Sequence, residues 1–280
     1  MEVIADLHLH SKYSRAVSQE MVIPKMAEWA RIKGINLLGT GDFTHPLWFR
    51  ELKERLEEED GILREKEKEG DKENKGGGVR FLLTTEISSI YSQGGKTRRI
   101  HNIVIVPSFS TVEKISQALL GRGCNLMSDG RPIIGMSAKN LLELVLGVDD
   151  RCLVIPAHIW TPWFSLYGAN SGFDSLEECF GELSKYIYAV ETGLSSDPQM
   201  NWQVPDLDNR KIVSFSDAHS PANLGRELTI LEVGKTETLR YEDIRKAVVG
   251  SQFTPHNIVH GRVLPGRREV SLYRTSELRR

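Results

Sequence analysis

The segment Val3-Ile4-Ala5-Asp6-Leu7-His8-Leu9-His10 governs how the rest of the chain is read. Its first five residues have the apolar character of a short buried strand. Beyond them, Asp6-x-His8-x-His10 keeps the alternation going. Side chains two apart on a strand share a face, so Asp6, His8 and His10 can converge on one point at the strand's end. Imidazoles and carboxylates are first-choice ligands for zinc, manganese and iron. In parallel α/β architectures, function gathers at the carboxyl ends of strands.

Outward from this segment, strands and helices alternate. A helix starts at Pro24, a favoured first-turn residue, and stops at Gly34. Residues 35–39 read as a strand and 48–58 as a helix. Residues 79–86 and 100–106 read as two strands of a long-looped hairpin, with Gly94-Gly95 in its connection. Helices near 111–121 and 138–146, a strand over 152–156, a helix near 175–185, strands over 186–190, 211–215 and 228–233, and a helix over 241–249 complete the pattern. The alternation predicts a mainly parallel sheet or barrel without internal repeats.

Ligand-type residues recur where these strands end. Asp42 follows the second strand, with His45 close behind, and Glu86 ends the third. His101 begins the fourth, but in an antiparallel hairpin the start of one strand lies beside the end of its partner, so Glu86 and His101 are expected to be neighbours. His158 follows the strand over 152–156. Asp217 and His219 follow the strand over 211–215. Five histidines and four carboxylates thus fall at one predicted rim. Buried carboxylates without partners are costly there, and metal ions remove that cost.

Asp6-Leu7-His8-Leu9-His10, Glu86, Ile100-His101, Ala157-His158 and Ser216-Asp217-Ala218-His219 resemble the ordered motifs of the PHP (polymerase and histidinol phosphatase) superfamily. Within it, His10-Ser11-Lys12-Tyr13-Ser14, Gly39-Thr40-Gly41-Asp42, Asp129-Gly130-Arg131-Pro132, Pro156-Ala157-His158 with Thr161-Pro162-Trp163, and Ser216 to Pro221 are similar to endonuclease Q. That family nicks DNA 5′ to deaminated bases and abasic sites. The resemblance implies an α/β fold, a distorted (β/α)7 barrel with its metal site at the carboxyl rim of the strands. It also implies two to three divalent ions: zinc, manganese, iron or magnesium. Carried over, His8, His10, Glu86 and Asp217 hold one ion. Glu86 bridges to a second, held by His101 and His158, and Asp42 and His219 hold a third. Asp217, Glu86 and His219 are the candidate catalytic residues. Two departures concern the third ion. Phe43 follows Asp42 where a histidine is usual, which makes His45 a substitute candidate, and no histidine follows His10 within a few residues. Asp6 is expected to orient a histidine. Ions roughly 3.5–4 Å apart can activate a water and polarise a phosphoryl oxygen.

The implied partner is DNA, damaged or deaminated. Lys12, Arg15 and Arg226 are candidate phosphate contacts. Trp160, Trp163, Phe164 and Tyr167 are candidates for stacking on an exposed base. Two rivals remain: a phosphatase of small sugar, amino-alcohol or nucleotide phosphates, and a DNA-repair accessory module without catalysis. The absence of a G-x-S-x-G elbow or a P-loop sequence gives serine-hydrolase and kinase readings no support.

The 280 residues carry 36 basic and 38 acidic side chains, which disfavours a basic protein that wraps DNA over its whole surface. The charge is uneven. Residues 51–75 hold seven basic and eleven acidic residues and end in linker chemistry at Lys75-Gly76-Gly77-Gly78, so a solvated insertion is expected at about 57–78. Residues 262–280 hold six arginines and two glutamates and read as a frayed basic tail that could touch DNA phosphates. A PHP domain over 1–260 and a tail over 261–280 are the expected organisation. The cysteine-rich zinc-binding tail of endonuclease Q has no counterpart in these residues. Three isolated cysteines, no signal peptide and no apolar run long enough for a membrane span predict a cytoplasmic protein.

Overall fold

The computed structural model describes residues 1–66, 78–234, 236 and 238–250, and the backbone of 258–263 and 270–274. The fold is mixed α/β. In chain order it runs β1 (Glu2–Asp6), α1 (Ile23–Lys33), β2 (Leu37–Gly39), α2 (Pro46–Arg55), β3 (Leu56–Glu59), β4 (Ile62–Glu65), β5 (Arg80–Gln93) and β6 (Lys96–Val106). Then come α3 (Phe109–Leu120), β7 (Ile133–Ile134), α4 (Ala138–Val148), β8 (Leu153–Pro156), α5 (Leu176–Phe180), β9 (Ala189–Glu191), α6 (Pro198–Asn201), β10 (Lys211–Val213), β11 (Leu228–Glu232), α7 (Tyr241–Val249), β12 (Ile258–Val263) and β13 (Val270–Arg274).

The sheet is mixed where the sequence predicts a mainly parallel one. Strand β1 pairs parallel with β2, and β2 parallel with β5. Strand β6 is antiparallel to both β5 and β8, and β11 is antiparallel to β1. Strands β9 and β10 form a parallel pair of their own. Both faces of β6 are buried. Ile100, Val104 and Val106 pack with Met26, Trp48, Ile115, Leu141 and Leu176 of the helices, while Ile103 and Ile105 join Val3, Ala5, Leu82, Ile155 and Phe215. Burial on both faces gives the near-continuous apolar runs that make these strands readable in the sequence.

The β5–β6 connection is tight, not long. Gln93 pairs with Lys96, so Gly94 and Gly95 alone make the turn. Their φ values of +60° and +72° suit a two-residue hairpin turn that other residues enter only with strain. Part of the charged segment is also ordered. Helix α2 stops at Arg55, short of the expected Glu58, and the chain folds into the β3–β4 hairpin. Leu56, Ile62 and Leu63 are buried there, and Glu57, Glu58 and Glu59 face outward. Residues 67–77, the rest of the expected insertion, lie outside the described residues. Strands β12 and β13 extend the sheet from β11 where the basic tail is expected; residues 264–269 and 275–280 lie outside the described residues. Cys124, Cys152 and Cys179 are free thiols. Among the described residues, no helix is long and apolar enough to cross a membrane.

Candidate metal centre

Residues just beyond β1, β8 and β10 and mid-strand residues of β5 and β6 deliver their polar side chains to one place. Glu86 and His101, expected at a strand end and a strand start, lie inside strands that continue to Gln93 and begin at Lys96. Among the described residues, three groups could each hold an ion: His8, His10 and Glu86; His10, Asp217 and His219; and Glu86, His101 and His158. Within each group the ligand atoms lie no more than 4.8 Å apart. Glu86 and His10 each belong to two groups, so the three form one centre. The backbone bends sharply to achieve this. Asp42, His158 and Asp217 all have positive φ, +50°, +30° and +46°, a strained region for non-glycine residues. The loop of Asp217 is tied to the end of β1, because His10 N–H donates to Ala218 O at 3.1 Å.

Four of the five imidazoles, all but His101, are oriented from behind. His8 Nδ1 donates to Glu191 at 2.9 Å, His10 Nδ1 to Asp42 Oδ1 at 3.1 Å, His158 Nδ1 to Thr161 Oγ1 at 3.1 Å, and His219 Nδ1 to Asp217 O at 2.9 Å. With Nδ1 so engaged, the Nε2 lone pairs of His8, His10 and His158 point inward, at carboxylates. His8 Nε2 lies 3.5 Å from Glu86 Oε1 and 3.7 Å from Asp217 Oδ1. His10 Nε2 lies 3.4 Å from Glu86 Oε2 and 3.2 Å from Asp217 Oδ1. His158 Nε2 lies 3.1 Å from Glu86 Oε1. His101 Nδ1 lies 2.7 Å from the same oxygen, out of line for a hydrogen bond. His8 Nε2, His10 Nε2, His101 Nδ1 and Asp217 Oδ1 are all buried without a hydrogen-bond partner.

Two acceptors facing each other in a buried site repel unless a cation lies between them. A proton is one such cation. Burial opposes the charging of His8, but Glu191, Glu86 and Asp217 reverse this and raise it well above its ordinary value. His10, likewise opposed by burial, is raised to about 9 by Asp42, Asp217 and Glu86. Burial alone would raise Glu86, yet His101 and His8 hold it well below the usual carboxylate range. Burial lowers His101 to about 4, so it stays neutral. A divalent ion is the other cation that fits. The donor set of imidazole and carboxylate, with its lone pairs already converging, matches zinc, manganese or iron.

The sequence-predicted residues divide. His8, His10, Glu86, His101, His158, Asp217 and His219 come together as expected. Asp42, expected at a third ion with His219, instead sits behind His10. Its Oδ1 accepts from His10, and its Oδ2 accepts from Ser11 N, Ser11 Oγ and Ser14 Oγ at 2.6, 2.7 and 2.8 Å. Gly41 and Asp42 both have positive φ, which turns the carboxylate back toward Ser11. His45 stacks on Tyr13 and its Nε2 meets Met127 O, away from the centre. Asp6 orients no histidine; its two oxygens accept Ser216 N–H and Gly225 N–H and so anchor the Asp217 loop. Burial raises Asp6 to about 6 against those bonds.

The candidate cations are placed elsewhere. Lys12 pairs with Glu51 at 2.9 Å, and Arg15 is exposed beside Asp129. Arg226 braces the loop by donating to Ser216 O and Asp217 O. The cation at the centre is Arg131, whose Nη1 donates to Glu86 Oε2 at 3.2 Å. It stands in the Asp129-Gly130-Arg131-Pro132 segment, and Asp129 Oδ1 accepts its N–H. Trp160 packs at a tilt against Tyr167 and donates to Asn201, and Tyr167 donates to Asp206, so both serve the loop's interior. Trp163 is 47% exposed, and Phe164 lies 4.8 Å from the ring of His101.

Glu191 was not among the sequence candidates. It is fully buried, accepts from His8, and accepts His158 N–H at 2.8 Å. Its signal was present, a carboxylate that closes a short apolar run in the sequence as Glu86 does, but no histidine stands beside it in the chain.

No family model matches the sequence. The chain is similar to the uncharacterized protein YqxK of Bacillus subtilis, 31% identical over 277 residues, which covers 91% of this chain and 66% of that protein. It is also similar to an uncharacterized protein of Methanocaldococcus jannaschii, 30% identical over 157 residues, 56% of this chain and 16% of that protein. Among solved structures it is similar to PfuEndoQ, a lesion-specific endonuclease from Pyrococcus furiosus, at 35% identity and a TM-score of 0.75 over 90% of this chain and 57% of that one. It is similar at 36% identity and a TM-score of 0.76 to endonuclease Q in complex with a 27-mer duplex substrate with an abasic lesion at the active site, over 90% of this chain and 58% of that one. The chain spans less than two thirds of the length of each of these relatives. It belongs to the PHP-like superfamily and is similar there to endonuclease Q.

Proposed function

We propose that the chain is a metal-dependent phosphoesterase that, like endonuclease Q, hydrolyses the DNA phosphodiester 5′ to deaminated bases or abasic sites. The observation that carries this reading is the set of inward ligand atoms without hydrogen-bond partners, His8 Nε2, His10 Nε2, His101 Nδ1 and Asp217 Oδ1, which only cations can reconcile. In this reading His8, His10, Glu86 and Asp217 hold one divalent ion and Glu86, His101 and His158 a second. Asp217 and His219, with His10, offer a third position. Two or three bound ions would supply Lewis-acid activation of water and of a phosphoryl oxygen. The chain's own residues do the rest. Glu191, Asp42 and Thr161 fix the imidazole tautomers. Arg131, within reach of Glu86, adds positive charge where a phosphate enters. Trp163 and Phe164, the outward members of the aromatic loop, face the DNA.

The fold belonging to this reading is a distorted seven-stranded barrel of β1, β2, β5, β6, β8, β9 and β10, with the centre at its carboxyl rim. It is supported by the unbroken pairing from β1 through β2, β5 and β6 to β8. It is further supported by the packing of β8 on β9 and the bridge from Leu9 to Ala218 beyond β10. We place a PHP domain over residues 1–260 and the activity in the cytoplasm, where the three free thiols stay reduced.

The test is incubation of the purified protein with manganese, magnesium or zinc and end-labelled duplexes carrying deoxyinosine, deoxyuridine or an abasic site. A metal-dependent nick 5′ to the lesion is expected. Intact duplexes beside turnover of a small phosphomonoester would overturn the DNA reading in favour of a small-molecule phosphatase. No turnover of either by metal-loaded protein would leave an accessory module.

A further inference from the structure

Arg99 stands on β6 two residues before His101, on the same face of the strand. Its guanidinium lies over the ring of Trp163, 4.8 Å from the centroid, and 5.8 Å from that of Phe164. Among the described residues, no carboxylate, carbonyl or hydroxyl engages it. The aromatic rings accept no conventional hydrogen bond from it, so its N–H groups, which match phosphate geometry, remain available.

The loop that carries the two rings is fixed to the metal centre at both ends. His101 N–H donates to Phe164 O at 3.0 Å. Thr161 Oγ1, which meets His158 Nδ1, donates to Trp163 O at 2.8 Å. Arg99 N–H also donates to Ser171 O farther along the same loop. Phe164 holds a left-handed backbone at φ +62° with its ring against His101. The guanidinium is therefore set at a defined place beside two ligand histidines, on a rigid ledge. Its neighbour Arg98, by contrast, points at Gly172 O and the ring of Phe173.

We propose that Arg99, stacked on Trp163, binds a backbone phosphate of the DNA strand next to the scissile one and so favours polynucleotides over small phosphate esters. The proposal rests on the DNA reading above. The metal centre can hold one phosphoryl group of any ester; a second anion site beside it is met by the neighbouring phosphate of a strand and not by a small phosphomonoester. The contact with Trp163 restricts the guanidinium before the phosphate arrives, which lowers the ordering cost.

The test compares wild type, Arg99→Ala and Arg99→Lys on an abasic-site duplex, by steady-state cleavage and by binding in calcium across a salt series. Arg99→Ala is expected to raise KM about tenfold, through one lost charge-assisted contact, with kcat within about twofold. It should also reduce the magnitude of the slope of log K against log salt by about 0.9, the value for one phosphate. Arg99→Lys should keep that slope, since the charge remains, and raise KM less than alanine does. If wild type cleaves the duplex while Arg99→Ala keeps its KM and salt slope, this inference falls and the DNA reading stands. A fall in kcat at unchanged KM would also overturn it, because that pattern marks a displaced His101 instead of a lost phosphate contact. If wild type cleaves no lesion duplex, the DNA reading falls first and this inference with it.

Discussion

His8 Nδ1 donates to Glu191 through both carboxylate oxygens, at 2.9 and 3.0 Å, with both groups buried. This fixes the tautomer in which Nε2 presents its lone pair to Glu86 and Asp217. Glu191 also accepts His158 N–H, so one carboxylate sets two imidazoles. Glu191→Gln keeps an acceptor for one of these donors but turns an amide N–H toward the other and removes the charge. Metal affinity is expected to fall by about 10–100-fold, as for other groups that orient ligand histidines. Metal content after dialysis against a graded chelator checks this; unchanged affinity would show that Glu191 does not set the ligand tautomer.

Asp42 offers a sharper contrast, because the sequence gives it a ligand role whereas its carboxylate is turned behind His10. Its four short hydrogen bonds all come from His10, Ser11 and Ser14. Asp42→Asn must aim an amide N–H at one of those donors inside a buried site, at a cost of about 1–3 kcal/mol. A lower melting temperature in chelator is expected, with the number of bound ions per chain unchanged. Loss of one ion with no change in metal-free stability would restore Asp42 as a ligand.

Glu86→Gln tests the centre itself. Glu86 touches His8, His10, His101, His158 and Arg131. The charge lost is the one that reconciles two groups of ligands. Phosphoester hydrolysis should fall by about three orders of magnitude, the equivalent of several kcal/mol of lost metal-borne charge stabilisation. At least one ion per chain should be lost by elemental analysis. Asp217→Asn should lose the ion of His8 and His10 and leave that of His101 and His158; full metal content in both variants would rule out these assignments.

Much of this centre was legible because polar residues interrupt apolar runs there. Apolar runs marked β1, β5, β6 and β8, the period of two placed His8 beside His10, and antiparallel pairing of β5 with β6 brought Glu86 within reach of His101. Elsewhere local pattern carried no such information. The reversal at Gly41-Asp42 depends on left-handed backbone, which hydrophobic periodicity does not encode. The β3–β4 hairpin hid behind Glu57, Glu58 and Glu59, because an edge hairpin tolerates charges that also suit a solvated helix or loop. The choice among cations was tertiary. Arg226 is close in sequence to Asp217 yet braces its backbone, whereas Arg131, not proposed, reaches Glu86 across the fold.

The charge state of the histidines gives a pH dependence with a definite sign. In the metal-free protein His10 titrates at about 9, raised chiefly by Asp42 against the effect of burial, while its unfolded value is about 6.5. A group raised on folding contributes stability that is complete below about pH 6.5 and lost as pH rises through about 9. Metal binding runs the opposite way. A divalent ion needs the neutral imidazole, so below about pH 9 it must displace the His10 proton, and affinity strengthens as pH rises, by about 1.4 kcal/mol per pH unit for each proton released. His101, lowered to about 4, is neutral throughout and adds no dependence in this window. Between pH 6.5 and 9 the melting temperature in chelator should therefore fall, while the increment produced by saturating manganese or zinc grows. Calorimetric titration of metal in two buffers of different ionisation enthalpy at pH 7.5 should show at least one proton released per chain. A metal-induced increment that shrinks as pH rises, or binding without proton release, would mean that His10 already presents a neutral Nε2 and that Asp42 does not hold a proton on it.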